Sequence, residues 1–280
     1  MRSPGTPRWN ARWAWLASVV GLAVVLAPDL ANARHHRPAF EPDDLDMTTP
    51  GLLDLDLQVG MVRDGEAWRV VAPDVEINLG LTDHLELGID GTFSLASPSN
   101  TVLRPRDPML DNLWLSLKHA LVFEQDDGGR SWALGLQHGP RLPMQDGMAG
   151  IGYQAVLLGG FGIHGSSIVL SLGAFVDPRP EAQRWPPWGL LSGVDVKIPL
   201  DAAARFSLTG GISGAWYFRN SGELAATPGI TWAPTESLEM SISAVAGYLA
   251  GGAAYGFLVG FAPKWRLWVE PAGARAVGIH

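Results

Sequence analysis

Downstream of residue 51 the chain alternates hydrophobic and polar positions, beginning with LLDLDLQVGMV, where Leu53, Leu55, Leu57, Val59 and Met61 share one side and Asp54, Asp56, Gln58 and Gly60 the other. Period two predicts a β-strand. Comparable runs recur at 52–63, 67–81, 85–95, 110–123, 131–139, 152–162, 167–176, 189–198, 204–219, 223–233, 238–249 and 254–265, about twelve in all and an even number. Alternation by itself leaves open which face meets water. In a soluble sheet the leucines pack on a core, whereas in a membrane barrel they face lipid and the aspartates face a polar lumen.

The connections between runs discriminate. Those at TDH, EQDDGGR, IHGS, PLDAA and PTES are short. The alternate set contains ASPSNTVLRPRDPM, PRLPMQDGMAG and DPRPEAQRWPPW besides the short DG, NSG and AGGA. Long loops on one side only are expected of an outer-membrane barrel with short periplasmic turns and longer external loops. Aromatics also gather at strand ends: Trp68, Phe93, Trp216, Phe218, Tyr248 and Tyr255 towards the long-loop side, Phe123, Trp132, Trp232 and Trp265 towards the other. Two such belts suit the two membrane interfaces. Opposite the leucines stand small residues such as Gly88, Gly135, Gly193, Ser207, Thr209, Gly211, Ser243 and Gly260. A solvated outer face would favour long charged side chains, and glycine weakens a strand unless space is needed. The fold expected is therefore all-β, an antiparallel transmembrane β-barrel of about twelve strands, with Leu55 and Leu87 facing lipid and Gly88 facing inward, where Gly88→Ser is expected to be tolerated.

The amino terminus combines basic MRSPGTPRWNAR, an apolar WAWLASVVGLAVVLA and a small-x-small ANA before Arg34. This pattern reads as a cleaved export signal. The expected organisation is a signal peptide at 1–33, a Pro- and charge-rich periplasmic leader at 34–51, the barrel at 52–268 and a tail at 269–280. Hydrophobic residues make up 47% of the chain and charged ones 17%, sparse charge for a soluble exported protein. Cysteine is absent, which excludes disulfides and thiolate chemistry. The net charge of −8 argues against nucleic acid as a partner. The partners expected instead are the lipid bilayer, the outer-membrane assembly machinery and a small-molecule solute.

PDVEINLGLTDHLELGID, NLWLSLKHALVFEQDDGGRSWALGLQHGPRLP and TPGITWAPTESLEMSISAVAGYLAGGAAYGFLVGFAPKW together resemble the outer-membrane transporter family of the phenol-degradation meta-pathway. The resemblance implies a barrel passing small, aromatic or otherwise hydrophobic compounds, and carries no catalytic or binding residues with it. Barrels of that kind usually end on an aromatic residue; this chain continues past Trp265 and Trp268 with VEPAGARAVGIH.

Strand parity directs Asp54 and Asp56, Asp74 and Glu76, and Glu86 and Asp90 inward from three adjacent strands, and Lys118, Lys197 and Arg219 inward from later ones. Such an array serves either as a selectivity-setting charge wall or as ion pairs filling a narrow barrel. Twelve strands lie between the side-chain-filled eight and the open sixteen. Catalysis is not expected. The HGS at His164 to Ser166 has a histidine two residues before a serine but reads as a polar hairpin turn, and GGFGIHG lacks the Lys-Ser/Thr ending of a phosphate loop. His35 and His36 have no further ligands at useful spacing, so neither metal nor cofactor is expected. The functions this leaves are a small-solute channel, a structural or surface-binding barrel without an open pore, and a soluble periplasmic barrel binding protein.

Overall fold

The computed structural model describes residues 47–64, 67–96, 113–125, 129–144, 148–180, 188–218, 223–249 and 252–268. The expected signal peptide, most of the leader, the tail and Arg219 lie outside these residues. The strands are β1 (Leu52–Asp64), β2 (Ala67–Thr82), β3 (Leu85–Ala96), β4 (Leu113–Gln125), β5 (Arg130–Leu142), β6 (Met148–Ala149), β7 (Gly152–Ile163) and β8 (Ser166–Val176). They continue with β9 (Arg179–Pro180), β10 (Trp188–Pro199), β11 (Phe206–Tyr217), β12 (Glu223–Ala226), β13 (Gly229–Thr235), β14 (Leu238–Leu249) and β15 (Gly252–Arg266).

Each wall strand pairs antiparallel with its neighbours, and β1 closes on β15 from Leu52 opposite Arg266 to Asp64 opposite Ala254. Closure removes the unpaired edge that lipid could not satisfy. The wall is twelve strands round, because β12 and β13 are two parts of one strand between β11 and β14. Their break falls at Thr227 and Pro228, where proline has no N–H to give a ladder. Bonds from Thr227 N–H to Gly211 O and from Ala244 N–H to Pro228 O, both 2.9 Å, keep the wall closed there. The short β6 and β9 pair with each other and join two long loops on one side of the barrel.

Turn chemistry fixes the opposite end. His164 and Gly165 connect β7 to β8 with φ of 50° and 81°, the two left-handed residues a tight twisted hairpin requires. His164 and Gly165 are thus the turn the residues suggest, while Ser166 opens β8. At Asp201 a carboxylate accepts from Phe206 N–H at 2.8 Å, and at Thr82 a hydroxyl accepts from His84 N–H at 3.2 Å, local bonds that favour turning over strand continuation.

The burial pattern settles the orientation of the opening run. Asp54, Asp56 and Gln58 are buried, while Val59 and Met61 are exposed. The same inversion holds round the wall, with Leu121, Leu170, Leu172, Ile212, Ile242 and Phe257 all at least half exposed. So continuous an apolar exterior requires lipid. Its borders carry aromatic pairs. On the long-loop side Trp188 stacks on Phe218 at 3.8 Å between centroids and Trp68 meets Tyr255 edge-on at 5.8 Å; on the short-turn side Phe206 stacks on Trp232 at 6.1 Å. Tyr153, Trp188 and Phe206 belong to these belts although the sequence reading passed over them, and the Phe93 side chain lies outside the described residues. The protein is an outer-membrane β-barrel.

Candidate functional site: the barrel lumen

Inward positions on β1 to β4 line up through the strand register into rows. Asp56 stands opposite Glu76, Glu76 opposite Asp90, and Asp90 opposite Trp114. One position towards the external end, Gln58 faces Asp74 on β2 and Gly260 on β15. Towards the periplasmic end, Asp54 faces Asn78 and Lys264, and Glu86 faces Lys118. Register alone therefore gathers residues that are 58 positions apart in the chain, counting from Asp56 to Trp114.

Of the charges expected inward, Asp54, Asp56, Asp74, Glu86 and Lys118 are buried, and Glu76, Asp90 and Lys197 lie half-buried on the same face. Two of the inward basic residues contact carboxylates. Lys118 Nζ sits 3.8 Å from Glu86 Oε1 on the adjacent strand. Lys197 Nζ lies 3.9 Å from Glu239 Oε1, bridging from β10 past β11 and β13 to β14. Glu239 was missed, as were Asp195, Gln58 and Gln137, although each lies two residues from a residue that parity already turned inward.

Side chains on the inner wall are tied to one another. Asn78 Nδ2 donates to Glu76 Oε1 at 2.7 Å and Gln137 Nε2 to Ser116 Oγ at 3.0 Å. A Cβ on Gly88 would stand 2.5 Å from Ser116 Oγ and 3.0 Å from Asn78 Oδ1. Gly88→Ser is accordingly not a free change: the inward assignment holds, but the space expected beside Gly88 is occupied by this amide and hydroxyl network. Residues 47–50 enter the periplasmic mouth. Thr48 N–H donates to Glu86 Oε2 at 2.6 Å, and Gly80 carries no side chain because a Cβ there would stand 2.2 Å from Thr48 O.

The external half of the lumen is apolar. Trp114 on β4, Val156 and Leu158 on β7 and Leu191 on β10 pack together on the arc of wall from β4 to β10, and Val62, Val71, Val245, Ala254 and Leu258 form a second cluster along β1, β2, β14 and β15. Leu158 is fully buried. Above this waist Arg141 clamps the external rim: its Nε lies 2.7 Å from Asp177 Oδ1, its Nη1 donates to Gln154 Oε1, and its guanidinium lies 5.5 Å from the centroid of Phe175. The lumen thus has a rim clasp, an apolar waist and a charged periplasmic half. Among the described residues no three acid or histidine side chains converge as metal ligands.

No protein-family model and no curated protein sequence matches the chain. Solved structures share its fold. The NanC porin superposes with a TM-score of 0.55 at 8% identity, over 75% of this chain and 100% of the porin's. An outer-membrane channel from Pseudomonas putida F1 superposes with a TM-score of 0.57 at 9% identity, over 80% of this chain and 99% of the other. At this identity the likeness is one of fold. It extends to outer-membrane barrels, and the phenol-degradation family suggested by the sequence is not among what these matches establish.

Proposed function

We propose that the protein is a non-enzymatic outer-membrane channel for small solutes, working without a cofactor through a narrow path lined by side chains. The observation that carries this reading is the concentration of ionisable groups on the inner face: Asp54, Asp56, Asp74, Glu76, Glu86, Asp90, Lys118, Lys197 and Glu239. Burying charge inside a membrane protein is expensive, and a barrel that only needed to be stable could fill the same space with apolar or small side chains. Intramembrane ionisable residues characteristically mark a solute or ion pathway.

The apolar waist is the constriction of this path. Hydrophobic constrictions close pores by excluding water, and on this reading conduction requires Trp114, Leu158 and Leu191 to part. An apolar waist followed by a charged half suits a solute with an apolar body and a polar end, in keeping with the small, aromatic or hydrophobic compounds implied by the sequence resemblance.

A second reading, a structural barrel or one that binds a partner with its external loops, is favoured by the rim clasp and by the β6–β9 pairing that ties two long loops together. Planar-bilayer recording with the purified full chain separates the two. Discrete conductance steps support the channel; a membrane that stays silent over a wide voltage range, with heat-modifiable barrel on a gel, sinks it.

A further inference from the structure

We propose that the row Asp56–Glu76–Asp90–Trp114, together with Gln58 and Asp74 beside it, is a binding site for the ammonium group of a small amine. The proposal deepens the channel reading by naming a solute class, and it rests on that reading only for the step from binding to passage.

An acidic row alone would be explained by its own internal contacts. Two further groups are not. Gln58 is fully buried, directly opposite Asp74 and two residues along the strand from Asp56, and neither its Nε2 nor its Oε1 has a hydrogen-bond partner. Trp114, 5% exposed and next to Asp90 in register, has an indole Nε1 in the same condition. Leaving a buried polar group unsatisfied is costly, and two on the inner wall between β1 and β4, at either end of the carboxylate row, point to a ligand there.

The chemistry of that ligand follows from the donor set. Asp56 lies within electrostatic range of Glu76, Asp54, Glu239 and Asp74, so the site favours positive charge. Among the described residues no three carboxylates converge as metal ligands, which disfavours a stripped divalent ion. An ammonium group needs only dispersed acceptors. Gln58 Oε1 and the row of carboxylates supply these, and the indole face of Trp114 adds a cation–π contact. Gln58 Nε2 and Trp114 Nε1 are donors that an ammonium cannot satisfy, so the full ligand of this site carries an acceptor oxygen besides its ammonium, and benzylammonium probes the acidic part alone. The apolar surface formed by Trp114, Leu158 and Leu191 begins at the end of the row, so an aromatic or alkyl body attached to the ammonium has somewhere to rest.

The test is calorimetric titration of the folded full chain in detergent with benzylammonium, benzyl alcohol and benzoate, three probes that share a ring and differ in charge. Benzylammonium should bind at one per chain, and the other two at least about tenfold more weakly, the effect of losing a charge-assisted hydrogen bond. Gln58→Leu should weaken benzylammonium by about tenfold as well. Glu76→Gln, which preserves side-chain volume, should do the same and serves if Gln58→Leu fails to assemble. Ser243→Ala, which removes a buried hydroxyl on β14 outside the row, should leave binding unchanged. Equal binding of all three probes, or binding indifferent to both Gln58→Leu and Glu76→Gln, overturns the site. The outcome is separable from that of the channel reading. Specific binding in a barrel that never conducts supports the site while removing the channel, whereas conduction without specific binding removes the site.

Discussion

The two halves of the lumen are built from the same kind of strand and filled in opposite ways. Towards the periplasm the inward positions hold carboxylates, amides, hydroxyls and lysines, tied by short side-chain networks and by the entering residues 47–50. Towards the exterior the inward positions hold Trp114, Val156, Leu158, Val62, Val71 and Leu258, joined by contact alone. Polar filling depends on directional bonds that must be remade group by group. Apolar filling slides, and an aromatic or leucine side chain can change rotamer without leaving a buried donor unpaired. On the proposed channel reading, the difference teaches where the barrel would open: the waist is the movable barrier, and the charged half is the fixed surface behind it.

The strongest way to break this comparison is to empty the waist. Trp114→Ala should destabilise the barrel by about 3 to 5 kcal/mol, the usual cost of truncating a buried tryptophan, and should raise both the open probability and the unitary conductance in bilayers. Leu158→Ala, deeper in the same cluster, should cost about 2 to 5 kcal/mol with a smaller gain in conductance. Denaturant titration of barrel refolding gives the first quantity and single-channel recording the second. If both variants lose stability and remain silent, the waist is packing and the barrier lies elsewhere.

Outside the lumen, Leu87→Arg should cost about 2 to 4 kcal/mol near the bilayer midplane. Leu87 is 38% exposed on the lipid face, so the penalty comes from charge in hydrocarbon rather than from lost packing. It should shrink when the same variant refolds in short-chain micelles, where water lies closer. An unchanged refolding free energy in lipid would mean that this face is covered by protein.

Much of this architecture was legible in the chain because a membrane barrel writes two environments into every strand. LLDLDLQVGMV could be read in either sense until loop lengths and aromatic positions were added, and the burial of Asp54, Asp56 and Gln58 agrees with the lipid-facing sense. Strand bounds came close, since turns such as HG at 164 and 165 need backbone conformations that few residue pairs supply. The waist was not legible. AVLLGG is apolar at both parities, so no alternation separates Leu158, pointing inward, from Leu157, pointing to lipid. Its packing with Trp114 and Leu191 from other strands depends on register, which no local pattern encodes. The charges were found by type, which is why the neutral Gln58, though placed on the aspartate side, was not counted with them; Glu239 lay on a strand where only small inward residues drew notice, and Asp195 was passed over beside Lys197 on the same strand.

Gly88→Ser sharpens the contrast at smaller cost. In the polar half the added Cβ meets Ser116 Oγ and Asn78 Oδ1, both movable side-chain ends, so the variant should fold with a loss of about 1 to 2 kcal/mol, towards the low end of overpacking penalties. Pairing it with Ser116→Ala should restore most of that loss, because the alanine removes the atom nearest the new side chain. A double variant no better than the single one would place the strain in the backbone.

The smallest effect on stability, and the most informative about the charged half, is expected from neutralising the acidic row in one step as Asp56→Asn, Glu76→Gln and Asp90→Asn. These three stand opposite one another on β1, β2 and β3, and like charges facing across strands repel. Removing them relieves that repulsion and gives up contacts that Asn and Gln partly replace, so the refolding free energy should change by less than about 1 kcal/mol. Selectivity should change much more. Charges along a narrow, partly dehydrated path are screened less than charges in bulk, and the wild-type lumen should favour cations over anions in a potassium chloride gradient, with a preference that weakens as salt rises. In the triple variant the reversal potential should move towards zero. The polar half also contains the Lys118–Glu86 and Lys197–Glu239 contacts, which the substitutions leave in place, so lysine is not released to bind anions. If the wild type is anion-selective, or is silent while the triple variant conducts, the acidic row acts as part of the closure and the division between a movable waist and a fixed charged half is wrong.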